Sequence, residues 1–306
     1  MSTVSTSPDT QAPSRSPLVS APPPRKRIFT AQNLVGTLVG SYVPLIIATL
    51  IVALPLLWMV SASLKPTDEI VTLSPTLFPE NPTFQNYVEA SRTVSFGRLF
   101  LNSTIVTVLG ASIKVVLAIL TAYALVFIRF PGKRWVFFFI LVALMVPPQV
   151  SILPNFQLIA GWGGMNTYWG IILPGLGTAF GTFLLRQHFL TLPASMLEAA
   201  QLDGAGHFRR LWQVVVPVSG PAIATVALVT IVNEWNDYLW PLIITDRAEM
   251  MTLPVGLTLL RNNESSLASF GTLMAGAVLV VVPVLIVFAM LQRHIVTGLT
   301  QGSTTG

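Results

Sequence analysis

Cysteine is absent from the 306 residues, which excludes a disulfide framework and any thiolate metal site. Charge is scarce. Only 9% of residues are Asp, Glu, Lys or Arg, whereas a soluble domain carries about 25%. The signatures of catalysis are missing as well. ATP hydrolysis needs a glycine-rich phosphate loop closed by Gly-Lys-Ser/Thr. The nearest approach, Pro131-Gly132-Lys133-Arg134, lacks both the leading glycine and the hydroxyl. There is no His-Glu-x-x-His helix and no Gly-x-Ser-x-Gly elbow. His188, His207 and His294 share no ligand spacing, so each reads as a surface or interfacial residue, and neither metal nor cofactor is expected. A catalyst is not what this chain describes.

What it has instead is apolar length, with 53% hydrophobic residues. A membrane crossing takes about 20 apolar residues. Six stretches qualify, near 40–62, 100–128, 135–156, 168–190, 219–245 and 271–292. The fold class is therefore an all-α polytopic membrane protein with six transmembrane helices. Pro147-Pro148, Pro154 and Pro174 interrupt the third and fourth spans, and polar residues interrupt the second and fifth. Such breaks survive where neighbouring helices or a wet cavity satisfy the freed backbone groups, which implies helices packed around a pathway.

Residues 1–27 are rich in Ser, Thr and Pro, end in Arg25-Lys26-Arg27, and read as a disordered tail. Ile28–Gly40 is a candidate interfacial helix. Ser61-Ala62-Ser63 raises the thought of a signal peptide, but the polar lead is too long and 42–60 is long enough to span, so an uncleaved first span is expected. The expected division is 28–99 for the first span and outer loop, 100–295 for the core with a loop at 191–220, and 296–306 for a C-terminal tail. Lys and Arg stand in short tracts beside apolar runs, a pattern of membrane orientation and not of nucleic-acid binding. With the N-terminus in the cytoplasm, 11 of the 17 lie inside, five lie outside, and Lys114 falls within a span. That bias places both termini in the cytoplasm. The outer loop Ser63–Gly97, with four prolines and Asp68, Glu69, Glu80 and Glu89, is expected to form short helices and turns. Its acidity serves either a surface for an external protein or simple solvation. Ala160–Asn166 reads as a tight connection.

The long polar interruption runs from Glu198 to Pro217. Glu198–Leu202 favours helix, Gly204 and Gly206 break it, and a second short helix carries Phe208, Leu211 and Trp212. Pro217 and Pro221 are expected to end the unit. Two short helices meeting at a glycine make a knob that another protein can grip. The pattern resembles the EAA loop of ABC-importer permeases, E-A-A, three residues, G, nine residues, I-x-L-P. Glu198, Ala199, Ala200, Gly204 and Pro217 match it, while Val214 and Val216 stand where Ile and Leu are usual and keep the apolar character.

Three ionisable residues fall at membrane depth: Lys114, Glu234 and Asp237. Charges there cost a few kcal/mol and normally face a cavity or a partner. Lys114 either pairs with Glu234 or Asp237 to hold the helices together, or lines a pathway, or does both. The run Asn233-Glu234-Trp235-Asn236-Asp237-Tyr238 mixes hydrogen-bonding groups with flat aromatic faces, which suits a polar organic solute. For an anion, Lys114 is the one cation at mid-depth.

The resemblance extends over most of 40–300, to the carbohydrate-type, maltose-permease-like branch and within it to the second permease subunit of sn-glycerol-3-phosphate/glycerophosphodiester importers. Arg129-Phe130-Pro131-Gly132-Lys133, Thr182–Phe189, Glu234–Pro241 and Gln292-Arg293 carry it. The resemblance implies a type I ABC-importer permease fold in a bacterial inner membrane. It also implies a homologous second permease subunit, two ATP-binding subunits that hydrolyse the ATP, and an external substrate-binding protein. The coupling residues it implies are Glu198, Ala199, Ala200, Asp203, Gly204, Ala205 and Pro217. Glu198 would contact the ATPase or cap its own helix, and Gly204 would set the turn. A sugar or oligosaccharide importer stays open as the alternative. An ion-coupled secondary transporter would use Glu234 and Asp237 but leaves the loop without a purpose.

Overall fold

The computed structural model of the chain describes residues 40, 42–70, 76–262 and 270–300. The tail 1–27 and nearly all of the Ile28–Gly40 stretch lie outside the described residues, as do the side chains of Arg261, Gln292, Arg293 and His294. Among the described residues every regular element is helical. Setting aside other single turns, they are in order α1 Val43–Ser63, α2 Gln85–Thr93, α3 Phe96–Phe127, α4 Lys133–Met145, α5 Ile152–Gly161, α6 Tyr168–Ile172, α7 Ala179–Leu190, α8 Ala194–Leu202, α9 His207–Arg210, α10 Gly220–Trp235, α11 Leu239–Ile244, α12 Leu253–Asn262 and α13 Phe270–Thr300. The chain divides into a unit ending at Leu54, which holds the first part of α1, and a unit from Pro55 onward that holds the rest.

Among the described residues, three helices are long and apolar enough to cross a membrane alone: α1, α3 and the Phe270–Met290 part of α13. Three further helix pairs are apolar enough to cross if each bent pair is one span, though the third draws part of its length from the knob. α4 meets Pro148–Gly161 at 93°, Tyr168–Leu176 meets α7 at 47°, and His207–Val218 meets α10 at 83°. The stretch expected as one span at 135–156 turns because Pro148 offers no N–H and forces Pro147 into extended backbone, φ −63° and ψ 130°. The stretch expected at 219–245 stops being helical after Trp235 and resumes at Leu239. Asn236 and Asp237, which compete with the helix backbone through their own side chains, occupy the break. At the C-terminus α13 runs on to Thr300, so the expected tail from 296 begins as helix.

α3 is the element against which the second unit packs. Along its 32 residues, Ser103, Thr107, Gly110, Ala118 and Ala122 recur at helical spacing and are buried. A stripe of small residues lets helix backbones approach closely where water supplies no driving force. α7 and α10 fill that stripe, with α6 and α12 beside them. A Cβ at Gly181 of α7 would stand 3.1 Å from both Ala118 Cβ and Val226 Cγ1, so even a methyl there would press on α3 and α10. Toward the Glu198–Pro217 loop the core contains Ile119, Tyr123, Leu185, Phe189, Leu197, Leu211 and Val215. At the other end, Leu99, Trp235, Leu253 and Leu260 form a second core, and Val106, Ile159, Ile171 and Ile244 a third.

Polar side chains tie that far end together. Asn102 is fully buried; its Nδ2 donates to the carbonyls of Glu249 and Met251 at 2.8 and 2.9 Å, and its Oδ1 accepts from the Tyr168 hydroxyl at 2.8 Å. Asn166, in the left-handed region at φ 57°, accepts from the backbone N–H of Asp246 and Arg247. In the loop after α1, a single turn at Thr67–Ile70 and α2 are the short helices expected there. Asn86 fastens α2 to the carbonyls of Ser63 and Lys65. A buried group left unsatisfied costs about 1–3 kcal/mol. Asn102→Leu strands two carbonyls and a phenol, so it is expected to lower the thermal midpoint of the purified complex clearly more than Thr104→Val, whose hydroxyl bonds only its own helix at Phe100.

Candidate functional site

The knob begins four residues before Glu198, where α8 starts at Ala194 behind Pro193. Its end is set by backbone geometry. The Ala205 N–H donates to the Ala200 carbonyl and the Gly204 N–H to Gln201, both at 3.0 Å. This double closure needs a left-handed residue just past the helix, and Gly204 has φ +74°. Nothing lies within 4 Å of a Cβ built there, so glycine is required for its backbone conformation and not for space. Gly206, in extended backbone, opens α9.

The second half differs from the expectation at Pro217. α9 runs on through a π-helical turn, Leu211–Val215, into Val216–Val218, and the break falls at Ser219. Pro217 therefore lies inside the helical stretch; the turn before it, ahead of a residue with no N–H to donate, is the widened one.

Leu197, Leu211 and Val215 seat the knob on Tyr123, Leu185 and Phe189 of α3 and α7. A polar strut runs beside this seat: the Tyr123 hydroxyl meets His207 Nδ1 at 3.2 Å, and Arg210 donates to Gln201 Oε1 at 3.3 Å. His207 is thus a joint between the knob and a span, more than the plain surface residue expected. The opposite face is open. Glu198, Ala199, Asp203 and Gly204 are exposed, Ala200 and Ala205 are half-buried, and Leu202 and Phe208 are 88% and 76% exposed. Glu198 is in the middle of α8 and makes no hydrogen bond among the described residues, which corrects the expectation that it caps its own helix.

The second site lies inside the spans. Lys114 of α3 and Glu234 of α10 form an ion pair with side chains 16% and 14% exposed. Of the two acids, the pairing selects Glu234. Asp237, in the helix break, is exposed but near enough to feel both charges. Two glycines make room for the pair: a Cβ at Gly110 would stand 2.7 Å from Glu234 Oε2, and one at Gly175 3.1 Å from Lys114 Nζ. The pair lines a cleft of about 120 Å³ together with Thr178, Thr230 and Asn233.

The rest of the Asn233–Tyr238 run does not line that cleft. Trp235 is buried in the far-end core; its Nε1 donates to the Val280 carbonyl at 3.1 Å and its ring meets Phe100 edge-on at 5.7 Å. It is a packing anchor between α10 and α13, and with Phe100, Thr104 and Thr107 it lines a separate apolar cavity of about 820 Å³, not the cleft of the ion pair. Asn236 donates to the Val232 carbonyl at 2.8 Å, and the Tyr238 carbonyl opens α11 by accepting from Leu242. Sequence reasoning missed Thr178, Thr230 and Tyr123. Thr230 had a signal, being one helical turn before Glu234 and on its face; Tyr123 had none.

A helical chain with an ion pair in a cleft between spans and a knob left open on one face has the form of a membrane-transport subunit. The chain belongs to the family described as binding-protein-dependent transport system inner membrane component, which matches residues 114–301. Among similar proteins is the sn-glycerol-3-phosphate transport system permease protein UgpE of Brucella suis biovar 1 (strain 1330), 35% identical over 277 residues, covering 88% of this chain and 98% of that one. The proteins of the same name from Agrobacterium fabrum (strain C58) and Yersinia pestis bv. Antiqua (strain Antiqua) are 35% and 33% identical, over 85% and 88% of this chain and 95% and 98% of theirs. A crystal structure of a bacterial ABC transporter involved in the import of the acidic polysaccharide alginate contains a chain of the same fold. That chain has a TM-score of 0.76 and 25% identity, with 88% of this chain and 99% of that one covered.

Proposed function

We propose that this permease imports sn-glycerol-3-phosphate or a related glycerophosphodiester, as half of a heterodimer with a homologous permease, driven by two separate ATP-binding subunits and supplied by an external binding protein. The likeness over 88% of the chain to permeases named for that solute carries the substrate class. The excess of Lys and Arg beside one set of loops supports placing the knob and both termini in the cytoplasm. There Leu202 and Phe208 give the ATPase an apolar grip, and Glu198 gives it a free carboxylate. Closure of the ATPase pair on ATP then moves the knob as a rigid body. Because the knob is seated on α3, and Tyr123 and Lys114 share that helix about 14 Å apart along its axis, the motion reaches the cleft. Lys114, with Thr178, Thr230 and Asn233, offers a cation and hydrogen-bonding groups to a phosphate and its hydroxyls.

ATP-dependent uptake by the complete complex in proteoliposomes, with its binding protein, tests the substrate class. Labelled glycerol-3-phosphate or glycerophosphocholine should accumulate and an oligosaccharide should not. The reverse result would favour a sugar permease, the reading to which the alginate importer's similar fold lends weight. The strut makes a smaller prediction. Tyr123→Phe removes one hydrogen bond of about 1 kcal/mol, which is expected to appear as a roughly five-fold drop in uptake per ATP hydrolysed, with assembly unchanged.

A further inference from the structure

One group of cations belongs neither to the knob's open face nor to the cleft. α4 begins with Lys133 and Arg134, and Arg186 reaches across from α7, which packs against α4. The Arg186 guanidinium lies 3.8 Å over the ring of Phe137, which is itself stacked on Phe183 at 6.4 Å. Lys133 is one turn before Phe137 on the same helix and feels the charge of Arg186. Its Nζ donates to the carbonyls of Val126 and Ile128 at 3.0 and 3.3 Å, which holds it at the end of α3.

Two like charges are thus fixed near one another by packing. Among the described residues neither has an ion-pair partner, the first turn of α4 contains no acid, and Arg186 Nε is buried without a hydrogen bond. A stacked guanidinium still presents its N–H edge to an oxyanion in a bidentate geometry. The same helix shows which anion fits. Trp135, Phe138 and Phe139 are 66%, 50% and 65% exposed, so α4 presents bare aromatic surface that begins directly beside the cations. Tryptophan at that level marks a membrane–water interface, and basic pockets between spans take lipid headgroups. A soluble partner would leave those aromatic side chains uncovered.

We propose that Lys133 and Arg186, with Arg134 at the rim, bind the phosphate of an anionic phospholipid between α4 and α7. The proposal does not depend on the transported solute. Native mass spectrometry of the assembled complex, offered phosphatidylglycerol and phosphatidylcholine together, is the test. The unmodified complex should retain phosphatidylglycerol preferentially. Arg186→Gln and Lys133→Gln should each cut that preference about ten-fold, as expected for one lost charge-assisted contact, while Arg92→Gln on α2 should keep it. If Arg186→Gln fails to assemble, Lys133→Gln alone decides. Three results overturn the proposal: no preference in the unmodified complex, displacement of the lipid by millimolar inorganic phosphate, or an unchanged preference in the variants. Unchanged preference with loss of the ATPase subunits would assign the cations to protein docking instead.

Discussion

Gly204→Pro is expected to leave a complex that assembles and hydrolyses ATP but moves almost no solute. Position 204 has φ +74°, and proline is locked near −65°. Proline also removes the N–H that closes α8 on the Gln201 carbonyl. The first half of the knob would then lead into α9 in a different direction, and the grip would no longer be aligned with its seat on Tyr123 and Phe189. A graded series makes the claim sharper. A left-handed alanine costs about 1–2 kcal/mol, and asparagine less because its side chain bonds locally. Uptake per ATP hydrolysed should therefore fall in the order Gly, Asn, Ala, Pro. Space does not enter, since the position is open to solvent. Ala199 is exposed in α8, so Ala199→Trp leaves the fold intact and probes only the docking face. It should uncouple too. Full coupling in Gly204→Pro would remove the knob from the mechanism.

The second large effect is expected at the ion pair. Lys114→Gln leaves the Glu234 carboxylate in the cleft without its partner, and stranding one member of a mostly buried pair costs about 3–5 kcal/mol. The yield of assembled complex should fall steeply. The double variant Lys114→Gln/Glu234→Gln strands no charge, so assembly should return. Uptake of glycerol-3-phosphate should nevertheless stay down by about ten-fold, the worth of one charge-assisted contact to the solute. That split separates a pair that only holds helices together from a pair that also lines the route. Normal uptake by the double variant would leave Lys114 a purely structural role.

These two sites were unequally legible in the sequence. The turn at Gly204 is local: both hydrogen bonds that close α8 lie within Ala200–Ala205, so six residues suffice to read it. The six apolar stretches were legible from composition, and Pro147-Pro148 marked the sharpest bend. The partner of Lys114 was not legible, because it depends on the register of two helices 120 residues apart in sequence. The surroundings of Trp235 were hidden for a related reason. It adjoins Glu234 in sequence, but helical geometry turns its side chain about 100° away, into the contact with α13. Asn233–Tyr238 looked like one patch only while it was read as a string. Pro217 misled because a proline normally ends a helix, whereas here a π-turn precedes it within the helical stretch.

The absence of native cysteine permits one clean measurement of where the knob lies and what covers it. Phe208→Cys puts a lone thiol on the exposed face of the knob. In sealed vesicles of known orientation, a membrane-impermeant maleimide should label it only in inside-out vesicles, and the ATP-binding subunits should block the reaction. Labelling in right-side-out vesicles, or labelling indifferent to those subunits, would contradict a cytoplasmic knob that takes up the work of separate ATPases.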